Sequence, residues 1–215
     1  MAPLSDEELA RQAQAGELAA FEDLITRHHA RVFRFLCQKA PTQEDAEDLT
    51  QQTFITAHRR IHQFRLDAKF VTWLFTIARR LAINHHRARA VRPTCELAAA
   101  ESLPSPGRDP AWTLAEADDC QELWRAAREA LVEPQYAALW LFYREHMPIE
   151  SIARVMNRSQ VSVKVLLHRA RKRLAGVLPG PQGGSGGATG IDPILAPACA
   201  SPVPVKQLHW WPQQA

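Results

Sequence analysis

Residues 93–110, "PTCELAAAESLPSPGRDP", constrain this chain more than any other stretch. The prolines, the glycine and the small polar side chains leave no periodic apolar face that could join a core, which predicts a linker. Whatever folds must therefore close its core on either side, in residues 1–92 and 111–176. Both blocks carry apolar residues at three- and four-residue spacing, and neither shows the alternation of a half-buried strand. The expected fold class is all-α: two small helical domains joined by a flexible linker, the second with a helix-turn-helix. After Gly176 the text is dominated by Gly, Pro, Ala and Ser with only Asp192 and Lys206 charged, and such a segment cannot bury enough surface to fold alone, so 177–215 is expected to be a disordered low-complexity extension. Its end carries Trp210 and Trp211, a pair that would gain by docking on another surface.

Composition narrows the function classes. At 215 residues and 46% hydrophobic content the chain can build real cores, and its net charge of +3 is too small to argue for a nucleic-acid partner by itself. No apolar run approaches the ~18 residues that span a bilayer, and "MAPLSDEELARQ" is acidic where a secretory leader is basic and then apolar. The expectation is a cytoplasmic chain with no membrane insertion. Cys37, Cys95, Cys120 and Cys199 are scattered without CxxC spacing and read as free thiols. The phosphate-loop, GxSxG and HExxH patterns are absent, so no enzyme is expected, and no cofactor. His28-His29, His85-His86 and Cys37 fit no common zinc spacing, and no metal site is assigned.

The sharpest local pattern is "PIESIARVMNRSQVSVKVLLHRARKRL", Pro148 to Leu174. It reads as a short helix with Ile149, Ile152, Ala153 and Met156 inward, a break at Asn157-Arg158, and a longer helix capped by Ser159 with Val163, Leu167, Ala170 and Leu174 as its packing stripe. The other side presents Gln160, Val161, Lys164, Val165, His168, Arg169, Arg171 and Lys172. No acidic residue occurs from Ser151 to Ala175. A basic helix after such a turn suits the major groove, where cations reach phosphates and guanines and apolar side chains reach thymine methyls.

In the first block, Ser5 with Glu8 and Thr42 with Asp45 mark helix starts. "DAEDLTQQTFITAHRRIHQF" (Asp45 to Phe64) has acids at its start and Arg59-Arg60 near its end, an arrangement the helix dipole accounts for. The next segment asks for more. Phe64, Phe70, Trp73 and Phe75 lead into a helix whose apolar stripe runs through Leu74, Ile77 and Leu81, while Arg79, Arg80, Arg87, Arg89 and Arg92 collect elsewhere and no acid falls between Ala68 and Cys95. Aromatic rings beside a basic helix suit single-stranded nucleic acid, since bases stack on the rings and cations follow the backbone.

With these residues in view, the chain resembles a bacterial RNA polymerase sigma factor of the extracytoplasmic-function group, in the sigma-70 family. "FEDLITRHHARVFRFL", "DAEDLTQQTFITAHRRI", "FVTWLFTIARRLAINHHR" and "SIARVMNRSQVSVKVLLHRARKRL" match successive parts of that family's pattern in order, from about Ser5 to Leu174. The resemblance implies a region 2-like domain over 1–92 and a region 4-like domain over 111–176. It implies that Asp45, Asp48, Gln51 and Phe54 contact core RNA polymerase. It further implies that Phe64, Phe70, Trp73, Arg79, Arg80, Asn84 and Arg87 serve the melted −10 promoter element. Gln160, Lys164, Val165, His168, Arg169 and Arg171 would then read the double-stranded −35 element. Core polymerase, promoter DNA and an anti-sigma factor are the partners so implied. The sequence departs from the pattern at Gln52 (often an acid), Arg80 (commonly asparagine), Asn157 (usually glycine) and Val165-Leu166 (usually more polar). A stand-alone helix-turn-helix regulator is the alternative, and it would leave the aromatic and basic first block without a role.

Overall fold

The computed structural model describes residues 4–91 and 118–177; the expected linker core at 93–110, the tail with its two tryptophans, and Cys95 and Cys199 lie outside the described residues. The described residues form eight α-helices and one 3-10 turn. In the first block these are α1 (Asp6–Gln14), α2 (Leu18–Cys37), α3 (Gln43–Arg59), the 3-10 turn Ile61–Gln63, and α4 (Phe70–Val91).

Local chemistry sets their ends. Ser5 Oγ accepts from the Glu8 amide and Thr42 Oγ1 from the Asp45 amide, each satisfying one unpaired N–H of a first turn. Between α1 and α2 the chain turns at Gly16, whose φ of 99° is open to glycine and strained for other residues. α4 borrows its cap from another helix: the Phe70 amide donates to Glu7 Oε1 of α1 at 3.4 Å. The buried positions of α2, from Phe21, Leu24 and Ile25 to Val32, Phe35 and Leu36, hold helical spacing throughout. They meet Phe54 of α3 and Phe70, Leu74 and Phe75 of α4 in a core with Phe35 and Phe75 edge to face at 5.1 Å. Burying side chains of this size contributes about 2 to 3 kcal/mol each before entropy is counted, the main force closing the block.

The second block contains α5 (Asp118–Ala130), α6 (Glu133–Tyr143), α7 (Ile149–Met156) and α8 (Gln160–Ala175). The dipeptide Glu133-Pro134 predicts a break there, since the residue before a proline is pushed out of the helical region. The break instead falls at Leu131-Val132, and Glu133 and Pro134 open α6, because a proline in the first helical turn forfeits no internal hydrogen bond. The turn of the helix-turn-helix forms as expected. Asn157 takes the left-handed conformation (φ 51°, ψ 53°), the Arg158 amide donates to the Ala153 carbonyl at 2.9 Å, and Ser159 caps α8 through the Ser162 amide. Asparagine is one of the few residues that adopts this backbone at small cost, which lets it stand where the family pattern has glycine.

The two blocks are in contact. α7 packs against α4, and one continuous cluster of buried apolar residues runs from Leu9 to Leu174. Ion pairs cross the seam: Lys39 to Glu133 at 2.7 Å, Arg79 to the same carboxylate at 4.0 Å, and Arg31 Nε to Glu145 at 2.8 Å. Tyr136 donates to Gln38 Oε1, and Arg128 also reaches that oxygen. No helix among the described residues is long and apolar enough to cross a membrane.

Candidate nucleic-acid interface

Seen from its neighbours, α4 has three sides. Leu74, Phe75, Ile77, Ala78 and Ala82 are buried in the core. A second side joins the C-terminal half of α3 in walling a groove of about 350 Å³, lined by Trp73, Arg80 and Asn84 from α4 and by Thr56, Arg60 and Gln63 from the end of α3 and the turn after it. Arg60 and Arg80 bring cations to one concavity, Trp73 brings an aromatic face, and Asn84 brings a donor and an acceptor. Those groups suit a strand that carries phosphates on one side and unstacked bases on the other.

Three of the seven residues expected at the melted element thus share one groove. Phe64 and Phe70 lie behind it, 3% and 0% exposed, and touch Trp73 with ring centroids 5.4 and 5.8 Å away. They fix the Trp73 ring and present no surface themselves. Arg87 is exposed farther along α4 and outside the groove lining. Arg79 points elsewhere, into the seam between the blocks toward Glu133, with its side chain 13% exposed. One residue's difference in helical phase separates it from Arg80 by about 100° of rotation. Sequence reasoning missed Arg60 and Gln63, because the basic end of α3 was already accounted for by the helix dipole.

The segment joining α3 to α4 is braced by α1. Gln14 Nε2 donates to the carbonyls of Ile61 and Phe64, both at 2.8 Å, and Lys69 pairs with Glu7 at 3.6 Å. α1 itself is anchored by Asp6, which meets the buried His28 ring at 2.8 Å and Arg27 at 3.0 Å. The His28 hydrogen bond, with the charges of His28 and Arg27, outweighs burial and holds the Asp6 carboxyl down at about 2.

On α3 the expected polymerase contacts separate by depth. Asp48 is exposed and Gln51 half-buried. Asp45 is partly covered and ties α3 to α4 through His85 (3.3 Å) and Arg89 (3.2 Å). Phe54 has no exposed surface and stacks on His29 at 6.1 Å, so it supports the helix from within and offers nothing to a partner. Among the described residues no cluster of His, Cys, Asp or Glu could hold a metal ion. Cys37 is a free thiol that burial pushes up to about 11.

In α8, Val163, Leu167, Ala170 and Leu174 are buried and Gln160, Lys164, Val165, His168 and Arg169 are exposed, as the spacing requires. Arg171 departs from the expectation. Its Nε donates to Tyr143 Oη at 2.8 Å and its guanidinium lies 5.6 and 5.5 Å from the Phe142 and Tyr143 ring centroids, so it clamps α8 to α6 on the flank of the groove face.

Comparison with known proteins bears on both blocks. The Sigma-70 region 2 family model matches residues 24–92, and the Sigma-70, region 4 model matches residues 122–174. The ECF RNA polymerase sigma factor BldN of Streptomyces coelicolor is 33% identical over 175 residues, 80% of this chain and 65% of that protein, so the chain spans slightly less than two thirds of that relative. The ECF RNA polymerase sigma factor SigM of Mycobacterium tuberculosis is 32% identical over 174 residues, 81% of this chain and 85% of that protein. The sigma factor RpoE of Bartonella quintana, in a co-crystal with the anti-sigma factor NepR, shares the fold with a TM-score of 0.59 at 23% identity, covering 73% of this chain and 95% of that one.

Proposed function

The chain belongs to the sigma-70 family, as an extracytoplasmic-function RNA polymerase sigma factor, and from that premise we propose how its residues divide the work of promoter recognition. It is an initiation factor that binds core RNA polymerase, directs it to promoters and helps melt the −10 element. We read it as having no catalytic activity of its own and as acting in the cytoplasm. The presence of both family regions in one chain speaks against a stand-alone regulator.

The first block, 1–92, would bind polymerase and the melted strand, and the second, 111–176, the upstream duplex, with 93–110 between them and 177–215 beyond. The observation that carries the reading is the groove shared by Trp73, Arg80, Asn84 and Arg60. Extruding a base costs a few kcal/mol, and stacking on a fixed ring is worth about 1 to 3 kcal/mol per base. Trp73, held by Phe64 and Phe70, supplies the ring. Arg60 and Arg80 supply the charge that holds a phosphate backbone. Arginine where the family commonly has asparagine at position 80 shifts that contact from base reading toward charge. Exposed Asp48 and half-buried Gln51 are the accessible part of the polymerase contact, with Asp45 and Phe54 holding α3 in place. Lys164, His168 and Arg169, with Gln160 and Val165, face the upstream groove.

The likeness to an RpoE crystallised with an anti-sigma factor supports adding such a protein to the partners of this chain. Run-off transcription on a genomic promoter pool, with and without core polymerase, tests the assignment. Promoter selection should require both components, and Arg60→Ala and Arg80→Ala should lower open-complex formation while leaving co-purification with core intact. Tight binding of one operator by the isolated chain, unaffected by core polymerase, would refute it.

A further inference from the structure

The exposed face of α8 is not uniformly basic. Val161 is 70% exposed and Val165 42%. At ~100° per residue, Val161, Val165, His168 and Lys172 fall within roughly 60° of arc, opposite the buried stripe of Val163, Leu167, Ala170 and Leu174. Lys164 lies to one side of that ridge and Arg169 to the other. The helix therefore presents apolar groups where it projects farthest from its own core, with cations on both flanks. Valine is a weaker helix former than alanine, and local stability does not call for two of them on the solvent side of the first two turns.

The flanking cations favour a polyanion over an apolar protein surface, and no acid occurs from Ser151 to Ala175 to repel one. In the major groove, base edges present hydrogen-bonding groups and a single hydrocarbon, the C5 methyl of thymine. We propose that Val161 and Val165 are specificity-determining contacts, each covering the methyl group of a thymine in the upstream element. The inference rests on the assignment of α8 to that element. Four residues of helix rise about 6 Å, and a base-pair step rises about 3.4 Å, so the two thymines lie within about two steps of each other. Lys164 and Arg169, to either side, reach phosphates or guanine edges.

The test removes one methyl group at a time. The full chain is assembled with core RNA polymerase and allowed to select its upstream element from a duplex pool randomised there. Each selected thymine is then replaced by deoxyuridine, which pairs identically and lacks the methyl. Native holoenzyme should lose roughly fourfold in binding per methyl at two positions, the value expected for one buried methyl-sized group, and about nothing at the others. Val161→Ala and Val165→Ala should each abolish the thymine-over-uracil preference at one of the two positions. Both replace an exposed residue by a better helix former, so the fold is not at risk, and the deoxyuridine series on the native chain needs no variant at all. Uracil tolerated at every upstream position by a holoenzyme that still selects an upstream sequence would overturn the proposal and leave the functional assignment standing. Alanine variants that lose equally on thymine and uracil would also overturn it. A holoenzyme that fails to assemble, or selects no upstream sequence, would overturn the assignment and this inference with it.

Discussion

Removing Arg31 should open the seam between the two blocks, and removing Glu145 should not do so to the same degree. The Glu145 side chain is 1% exposed, with one carboxylate oxygen accepting from Arg31 Nε at 2.8 Å and the other from Trp140 Nε1 at 3.3 Å. Arg31 is 34% exposed and can turn to water when its partner is lost. Breaking a buried pair from one side costs about 3 to 5 kcal/mol when the survivor stays buried and charged. Among the described residues Arg31→Met leaves the carboxylate with a single indole N–H, so the cost should fall toward that range, about 2 to 4 kcal/mol after allowing for the partly solvated arginine. Glu145→Gln leaves a neutral amide that still accepts from Trp140, and the arginine can hydrate, so about 1 kcal/mol is expected.

Opening relieves the first variant, because a separated second block exposes Glu145 to water. The loss should therefore appear as expansion in small-angle scattering and as faster amide exchange in α4 and α7 before it appears as global unfolding. The double variant should recover about 1 to 3 kcal/mol relative to the sum of the singles. Equal costs for the two singles, strict additivity in the double, and an unchanged radius of gyration would together show that this pair does not hold the blocks together.

Other outcomes follow from the same geometry. Phe54→Ala should cost about 3 to 5 kcal/mol in chemical denaturation, so weaker co-purification with polymerase would reflect unfolding, whereas Asp48→Lys should weaken that contact with the circular dichroism unchanged. Arg79→Ala should spare −10 strand binding measured with a short single-stranded probe, while Arg80→Ala should weaken it and lower its salt dependence by about one charge. Asp6, held at about 2 against an ordinary 3.8, contributes stability that is fully present above the ordinary value and is lost as pH falls through the lowered one. In acid titrations Asp6→Asn should be less stable than the parent by on the order of 1 kcal/mol near pH 5, with the difference vanishing near pH 2.

What the sequence disclosed was chemistry settled within a turn or two of helix. Ser5, Thr42 and Ser159 cap through hydrogen bonds to residues three positions on, and Asn157 reverses the chain by its own backbone preference, so each could be read from a few letters. The stripe of α8 was equally legible, since one periodicity fixes both its buried and its exposed face. The failures share a different cause. Arg79, Arg80 and Arg171 are all arginines on amphipathic helices, and what separates them is which neighbour stands opposite: Glu133 for the first, the groove for the second, the Phe142 and Tyr143 rings for the third. The resemblance sets Phe54 beside Gln51 at the polymerase contact, yet three residues of separation still differ by about 60° in direction, enough to place one at the rim and the other in the core. The seam between the blocks was the least legible feature. Glu133 and Glu145 meet Lys39 and Arg31 across a long loop of sequence, and no local pattern marks a partner that only the folded chain brings near. Val161 and Val165 belong with the legible features instead: the periodicity that buries Val163, Leu167, Ala170 and Leu174 also sets the two valines on the opposite side of α8, with Lys164 and Arg169 to either flank.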